Sequence, residues 1–263
     1  MKYYKILIFF ILVTLLLTIN IYHKVVDRKI SEPLNSYLAQ RYMPEKFWLH
    51  RTNSIEKQRE LGYKYKNRGI EFDIIFHDKQ MIFENSHDEE NITKYNLEKQ
   101  FKLYRELGYN EGIWLDFKNL DEENKYKAKK VLDELLKKYN IDKSKLWIES
   151  SNWKSLDIFK IGGYKTSYYF PYYDLKNLDE DKISKIQEQI KLIAESGNIN
   201  AISFYGKYYD FISSLDIPED IVFLSWFNDY YWNNLLMNSD FNKIVKDNRV
   251  KVILIKDIGH YHR

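Results

Sequence analysis

The chain has 263 residues, 44% of them apolar and 30% charged, with a formal net charge of only +3. That is a globular composition, long enough for one large α/β barrel, and it carries no basic footprint for nucleic acid. There is no cysteine, which excludes disulfides, thiolate metal sites and a cysteine nucleophile.

The N-terminus opens on an apolar run, Ile6 to Tyr22, with Thr14, Thr18 and Asn20 as its clearly polar members. A membrane-spanning helix needs about 20 apolar residues. Lys2 and Lys5 precede the run, and no small-residue cleavage site follows it. Residues 1–22 are therefore read as an uncleaved signal anchor. It is expected to hold the protein as a single-pass membrane protein, with the folded domain on the exported side. Residues 23–45 are read as a polar connector punctuated by Pro33 and Pro44, and residues 46–263 as one folded domain.

Within that domain, eight short segments rich in β-branched and aromatic residues read as strands. They are Lys46–His50, Gly69–Ile75, Gly112–Lys118, Lys145–Glu149, Tyr164–Phe170, Asn200–Phe204, Ile221–Trp226 and Val250–Ile255. Charged segments with helical apolar spacing separate them, most clearly Asp121–Tyr139 and Leu178–Ser196. Eight strand–helix units in sequence predict a parallel (β/α)8 TIM barrel behind the N-terminal helix. The glycine signatures of dinucleotide and P-loop folds are absent, as are HExxH and GxSxG.

Barrel chemistry gathers at the carboxyl ends of the strands. The first strand ends His50-Arg51, the second carries Glu71-Phe72-Asp73, and the third Asp116-Phe117-Lys118. Residues two apart share a face, so Glu71 and Asp73 point together, as do Asp116 and Lys118. Parallel strands covered on both sides should read apolar throughout. Charges there need partners or a metal. Three carboxylates make a hard oxygen site suited to Mg²⁺ or Ca²⁺ rather than zinc. Lys118 can balance that charge and hold a phosphate oxygen. His87-Asp88 adds a second histidine, and Glu149 ends the fourth strand as an additional ligand or an ion-pair partner. His77 is read as a surface residue in a hairpin turn, and Asn53-x-x-Glu56 as a helix N-cap. Tyr168, Tyr169, Tyr172, Tyr173, Trp226, Tyr230, Tyr231 and Trp232 fall near later strand ends and are read mostly as packing.

These motifs resemble the glycerophosphodiester phosphodiesterase-like superfamily of barrels. The resemblance spans roughly residues 46–152 by motif: His50-Arg51 with Asn53, Glu71-x-Asp73, His87-Asp88 and Asp116-x-Lys118. It implies that His50 and His87 are the acid–base pair and that Glu71, Asp73 and Asp116 bind the metal. Lys118, with Arg51, would hold the phosphate of a lipid headgroup or small phosphodiester. Thr52 stands where the family usually has glycine, and the acidic residue of the third strand is Asp, as in the sphingomyelinase D branch. The segment from His87 to Asp116 lacks the usual insertion, and the motifs are similar to those of menorin-type relatives. The competing reading is a non-catalytic barrel that binds a phosphodiester headgroup or a protein partner.

Overall fold

The computed structural model describes residues 45–65, 68–87, 95–227 and 239–256, together with Thr14. The anchor and connector expected at 1–45 therefore lie outside the described residues, apart from Thr14 and Glu45. Among the described residues no helix is long and apolar enough to cross a membrane.

Among the described residues nine strands form one sheet. They are β1 (Phe47–Leu49), β2 (Ile70–His77), β3 (Ile82–Glu84), β4 (Ile113–Phe117), β5 (Leu146–Ser150), β6 (Lys165–Tyr169), β7 (Ala201–Tyr205), β8 (Val222–Trp226) and β9 (Val250–Ile255). All but β3 run parallel, in the order β1-β9-β8-β7-β6-β5-β4-β2, and β1 pairs with β2 to close the barrel. The eight predicted strands are these eight. The ninth, β3, folds back antiparallel on the end of β2, with Ile75 opposite Glu84. The turn between them contains Asp78 and Lys79, and His77 Nε2 pairs with Glu84 Oε2 across it at 2.7 Å.

The described helices are α1 (Ile55–Lys64), α2 (Leu97–Glu106), α3 (Lys125–Tyr139), α4 (Asp157–Ile161), α5 (Glu180–Glu195), α6 (Tyr209–Ser213) and α7 (Ser239–Lys246). Several start on side-chain caps. Ser54, Asn96 and Asp179 each accept the backbone N–H three residues on, satisfying a donor that the first turn cannot. Two expectations shift here. The helix read from Asp121 begins at Lys125, because the Asp121 carboxylate accepts the amides of Glu123 and Asn124 and makes a turn of that segment. Ser54, not Asn53, caps α1, and this frees Asn53 for the site.

Alternation decides what fills the barrel. Outward residues such as Phe72, Ile74, Leu115 and Ile148 are buried beneath the helices. Inward, Trp114, Trp147, Ala201, Leu224, Val252 and Leu254 pack into one cluster, with Trp48 and Trp226 against it. Trp48 lies across the starts of β2 and β4. A Cβ on Gly69 or Gly112 would come within 2.1 Å of its ring, so both positions require glycine. This tryptophan plug makes the barrel a packed core below and leaves one polar end open above.

Candidate active site

The polar end is a cavity of about 340 Å³ at the carboxyl ends of the strands, lined among others by His50, Arg51, Glu71, Asp73, His87, Asp116, Lys118 and Glu149. Every residue singled out from the strand ends is thus brought to one place. The sheet register explains how. Asp73 pairs with Asp116 and Asp116 with Glu149 across β2, β4 and β5, so three carboxylates stand level on neighbouring strands. The Lys118 amide continues the ladder to the Ile74 carbonyl, which keeps the lysine on the same inward face as Asp116.

The carboxylates are tightly held. Lys118 Nζ lies 2.9 Å from Asp73 Oδ1 and bridges to Asp116 Oδ2. Asp73 also accepts from Asn53 Nδ2 at 2.7 Å, and Arg51 Nε stands 3.7 Å from its Oδ2. The Arg51 amide donates to the Glu71 carboxylate. It can do so because Arg51 takes a left-handed conformation, φ 53°, which is uncommon outside glycine and turns the N–H inward. Lys57 fixes this bend by donating to the carbonyls of His50 and Arg51. Thr52, at the family's usual glycine, is fully buried and donates its amide to the Glu71 carbonyl at 2.8 Å. The side chain is therefore accommodated.

Charge follows from burial. Glu71 is pushed well above the usual carboxylate range by burial, and by the negative neighbours Asp73 and Asp116. Burial also raises Glu149 strongly and Asp116 to a lesser degree. Asp73 goes the other way. Burial opposes its charge, but Lys118 and Arg51 outweigh it and hold the carboxyl low. Lys118 stays protonated because Asp116 and Asp73 overcome its own desolvation. His50, 4.0 Å from Glu71, is pushed well below its ordinary value by burial, which favours the neutral imidazole.

Glu71, Asp73 and Asp116 each offer an oxygen within 4.8 Å of the others. That spread fits one hard cation, whose oxygen ligands lie about 2.0–2.6 Å away. A cluster of negative groups strong enough to raise Glu71 is also one that a divalent ion would stabilise. Glu149 stands beside this trio. Its Oε2 is buried with no hydrogen-bond partner, in a cavity lined by the same site.

The far wall is aromatic. Trp226 stacks on Tyr205 at 4.9 Å and packs on Tyr172 at 5.5 Å and Tyr169 at 6.4 Å. Tyr169, Tyr172 and Trp226 line the cavity, so these three do more than pack, whereas Tyr168 is buried. Burial raises the Tyr169 hydroxyl to about 12, so it remains a neutral donor. Asp88, Tyr230, Tyr231, Trp232, His260 and His262 lie outside the described residues. Sequence reasoning named Asn53 with the His50-Arg51 motif but read it as a helix cap, and it missed Lys256, which follows β9 and is buried beside His50 and Arg51. The alternation Val252-Leu254-Lys256 was the available signal for that lysine.

No protein-family model and no curated protein matches the sequence. Solved structures do match in shape. One is a glycerophosphodiester phosphodiesterase from Parabacteroides distasonis, with 13% identity over 80% of this chain and 93% of that one, at a TM-score of 0.55. Another is an Oleispira antarctica phosphodiesterase, solved with the product sn-glycerol-3-phosphate. It also shows 13% identity, over 84% of this chain and 94% of that one, at a TM-score of 0.55. The chain therefore shares the parallel (β/α)8 barrel fold of these solved phosphodiesterases.

Proposed function

We propose that this protein is a metal-dependent phosphodiesterase that cleaves its substrate by acid–base catalysis between His50 and His87. The observation that carries the reading is convergence. Two histidines, four carboxylates, an arginine and a lysine from separate strands and loops line one cavity at the open end of the barrel. A purely structural ion-pair layer accounts for Lys118 with Asp73 and Asp116, but it has no use for two histidines beside them. The same full set weighs against a barrel that only binds a headgroup or a protein partner.

Glu71, Asp73 and Asp116 would hold Mg²⁺ or Ca²⁺, which when bound supplies a Lewis acid toward phosphoryl oxygens. Arg51 and Lys118 bring positive charge to the phosphate as negative charge builds on its oxygens. His50, neutral in its buried position, is suited to take the proton of the attacking hydroxyl. His87, exposed at the mouth of the cavity, would protonate the leaving oxygen. The attacking hydroxyl is either water, giving a monoester, or a hydroxyl of the substrate itself, giving a cyclic phosphate. Asp116 in the third acidic position is the one feature that leans toward the cyclic route. The substrate class is a small phosphodiester or a lipid headgroup. Residues 1–22, read as an anchor, would keep the barrel at a membrane surface on the exported side.

The purified full chain should be incubated with a phosphodiester panel and Mg²⁺ or Ca²⁺, and its products followed by phosphorus NMR. Conversion that stops on chelation is expected. A chain that binds the metal but leaves every phosphodiester intact would transfer the site to the binding reading.

A further inference from the structure

The open end of the barrel is divided by charge. Glu71, Asp73, Asp116 and Glu149 come from the contiguous strands β2, β4 and β5. On the adjoining side, β1 ends in His50 and Arg51, and β9 leads into Lys256. Lys256 is only 8% exposed. Its direction follows from its strand. Val252 and Leu254 belong to the cluster inside the barrel, and Leu254 also lines the cavity, so the next residue of that alternation faces the same interior. Its height follows from the register. Trp48 pairs with Leu254, and the His50 amide donates to the Ile255 carbonyl at 3.0 Å, which sets Lys256 level with His50.

The groups facing Lys256 are Arg51, Asp73 and Glu71, with His50 on the neighbouring strand. Among the described residues two cations line the cavity: Lys118, paired with Asp73 and Asp116 on the carboxylate side, and Arg51, which reaches toward Asp73 from the end of β1. Lys118 approaches a ligand from the carboxylate side. A phosphodiester presents two anionic oxygens in a tetrahedral array, and one wall of donors reaches only part of it. A buried ammonium on a flexible stem, set on the other wall beside Arg51, supplies a point charge from that direction.

We propose that Lys256 is a further substrate-binding residue, its ammonium contacting a phosphoryl oxygen from the β9 side, next to Arg51, while Lys118 serves the β2–β4 side. This rests on the phosphodiesterase reading above. The competing role is simple neutralisation of Glu71 and Asp73, and it makes a different demand. A neutralising lysine acts through the carboxylates and so through metal affinity, whereas a substrate-binding lysine acts on the anion alone.

Calorimetric titration of the full chain separates the two, using Mg²⁺ alone and then inorganic phosphate with Mg²⁺ present. K256M should weaken phosphate binding about tenfold or more, the worth of one charge-assisted contact, and leave the Mg²⁺ isotherm unchanged. K256R should recover most of the loss. If K256M does not melt cooperatively, K256Q keeps a polar side chain and is read in the same way. Phosphate binding equal to wild type, or a parallel loss of Mg²⁺ and phosphate, overturns the proposal. A wild-type chain that binds no phosphate would remove the phosphodiesterase reading as well. Wild-type binding with an unaffected Lys256 variant removes this inference alone.

Discussion

Asn53 and Asp73 are joined twice: the Asn53 side-chain amide donates to Asp73 Oδ2 at 2.7 Å, and the Asp73 backbone N–H returns to Asn53 Oδ1 at 2.9 Å. The pair fixes the rotamer of a buried carboxylate from the loop that follows β1. Asn53→Ala should therefore weaken Mg²⁺ binding by about 10–100-fold, as loss of a partner that orients a metal ligand does. The fold itself should lose only about 1 kcal/mol. Metal titration beside a urea melt gives both numbers. Unchanged Mg²⁺ affinity would show that Asp73 needs no such support.

The histidine pair makes a kinetic demand. His50→Ala and His87→Ala should each slow cleavage by roughly 10²–10⁴-fold. The wild-type rate should rise and then fall with pH, because one imidazole must be neutral while the other is protonated. Each variant should lose one limb of that profile. A variant that keeps both limbs is not missing the acid or the base.

Stability without metal should depend on pH in an unusual sense. Glu71 and Glu149 are both raised by burial, so the folded chain holds protons that the unfolded chain gives up first. As pH rises past the ordinary carboxyl value of 4.5, these groups favour the unfolded state increasingly, until their folded pKa values are passed. Asp73, held low, contributes oppositely: its stabilisation is present above its unfolded value of 3.8 and is lost as pH falls further. In EDTA the melting temperature should therefore decline from weakly acid toward neutral pH, and Glu71→Gln should flatten the decline. Added Mg²⁺ should stabilise more as pH rises, because ligands must be deprotonated to bind it. His50, held low by burial, works against this decline below its ordinary value of 6.5, so the check is the difference between the two chains: a Glu71→Gln variant whose melting temperature follows the wild-type pH dependence unchanged would contradict the direction assigned to Glu71.

The barrel floor can be tested by size. Gly69→Ala places a methyl within 2.1 Å of the Trp48 ring, and Gly112→Ala does the same. Each should cost about 1–3 kcal/mol, as overpacking does. Trp48→Leu should recover part of that loss in the Gly69→Ala background, since the clashing ring is removed. Additive losses in the double variant would place the strain elsewhere.

Much of this was legible in residue order. Short β-branched runs separated by amphipathic segments identify eight barrel strands, and charged residues at alternate positions of Glu71-Phe72-Asp73 and Asp116-Phe117-Lys118 mark the open end. What escaped were relationships that local pattern does not carry. Asn53 and Ser54 are equally good N-cap types, and only the bond from Asn53 to a residue 20 positions away decides between them. Lys256 sits one residue beyond the predicted end of its strand, where a lysine usually reads as solvated. Tyr169 and Trp226 read as packing because an aromatic at a strand end looks the same whether it faces a helix or a cavity.

Barrel closure has a consequence for how the chain comes into being. β1 pairs with β2 nearby in the chain, but its other neighbour is β9 at the far end, and Lys46 reaches the carbonyl of Val245, 199 residues away. Contacts of such separation form late and slowly. During synthesis β2, β4 and β5 emerge long before β9. A growing chain therefore displays its acidic residues as an unfinished, self-repelling edge, with no opposing wall to hold an anion beside them. Anion binding of the kind proposed would thus belong to the finished ring and not to a nascent or truncated chain.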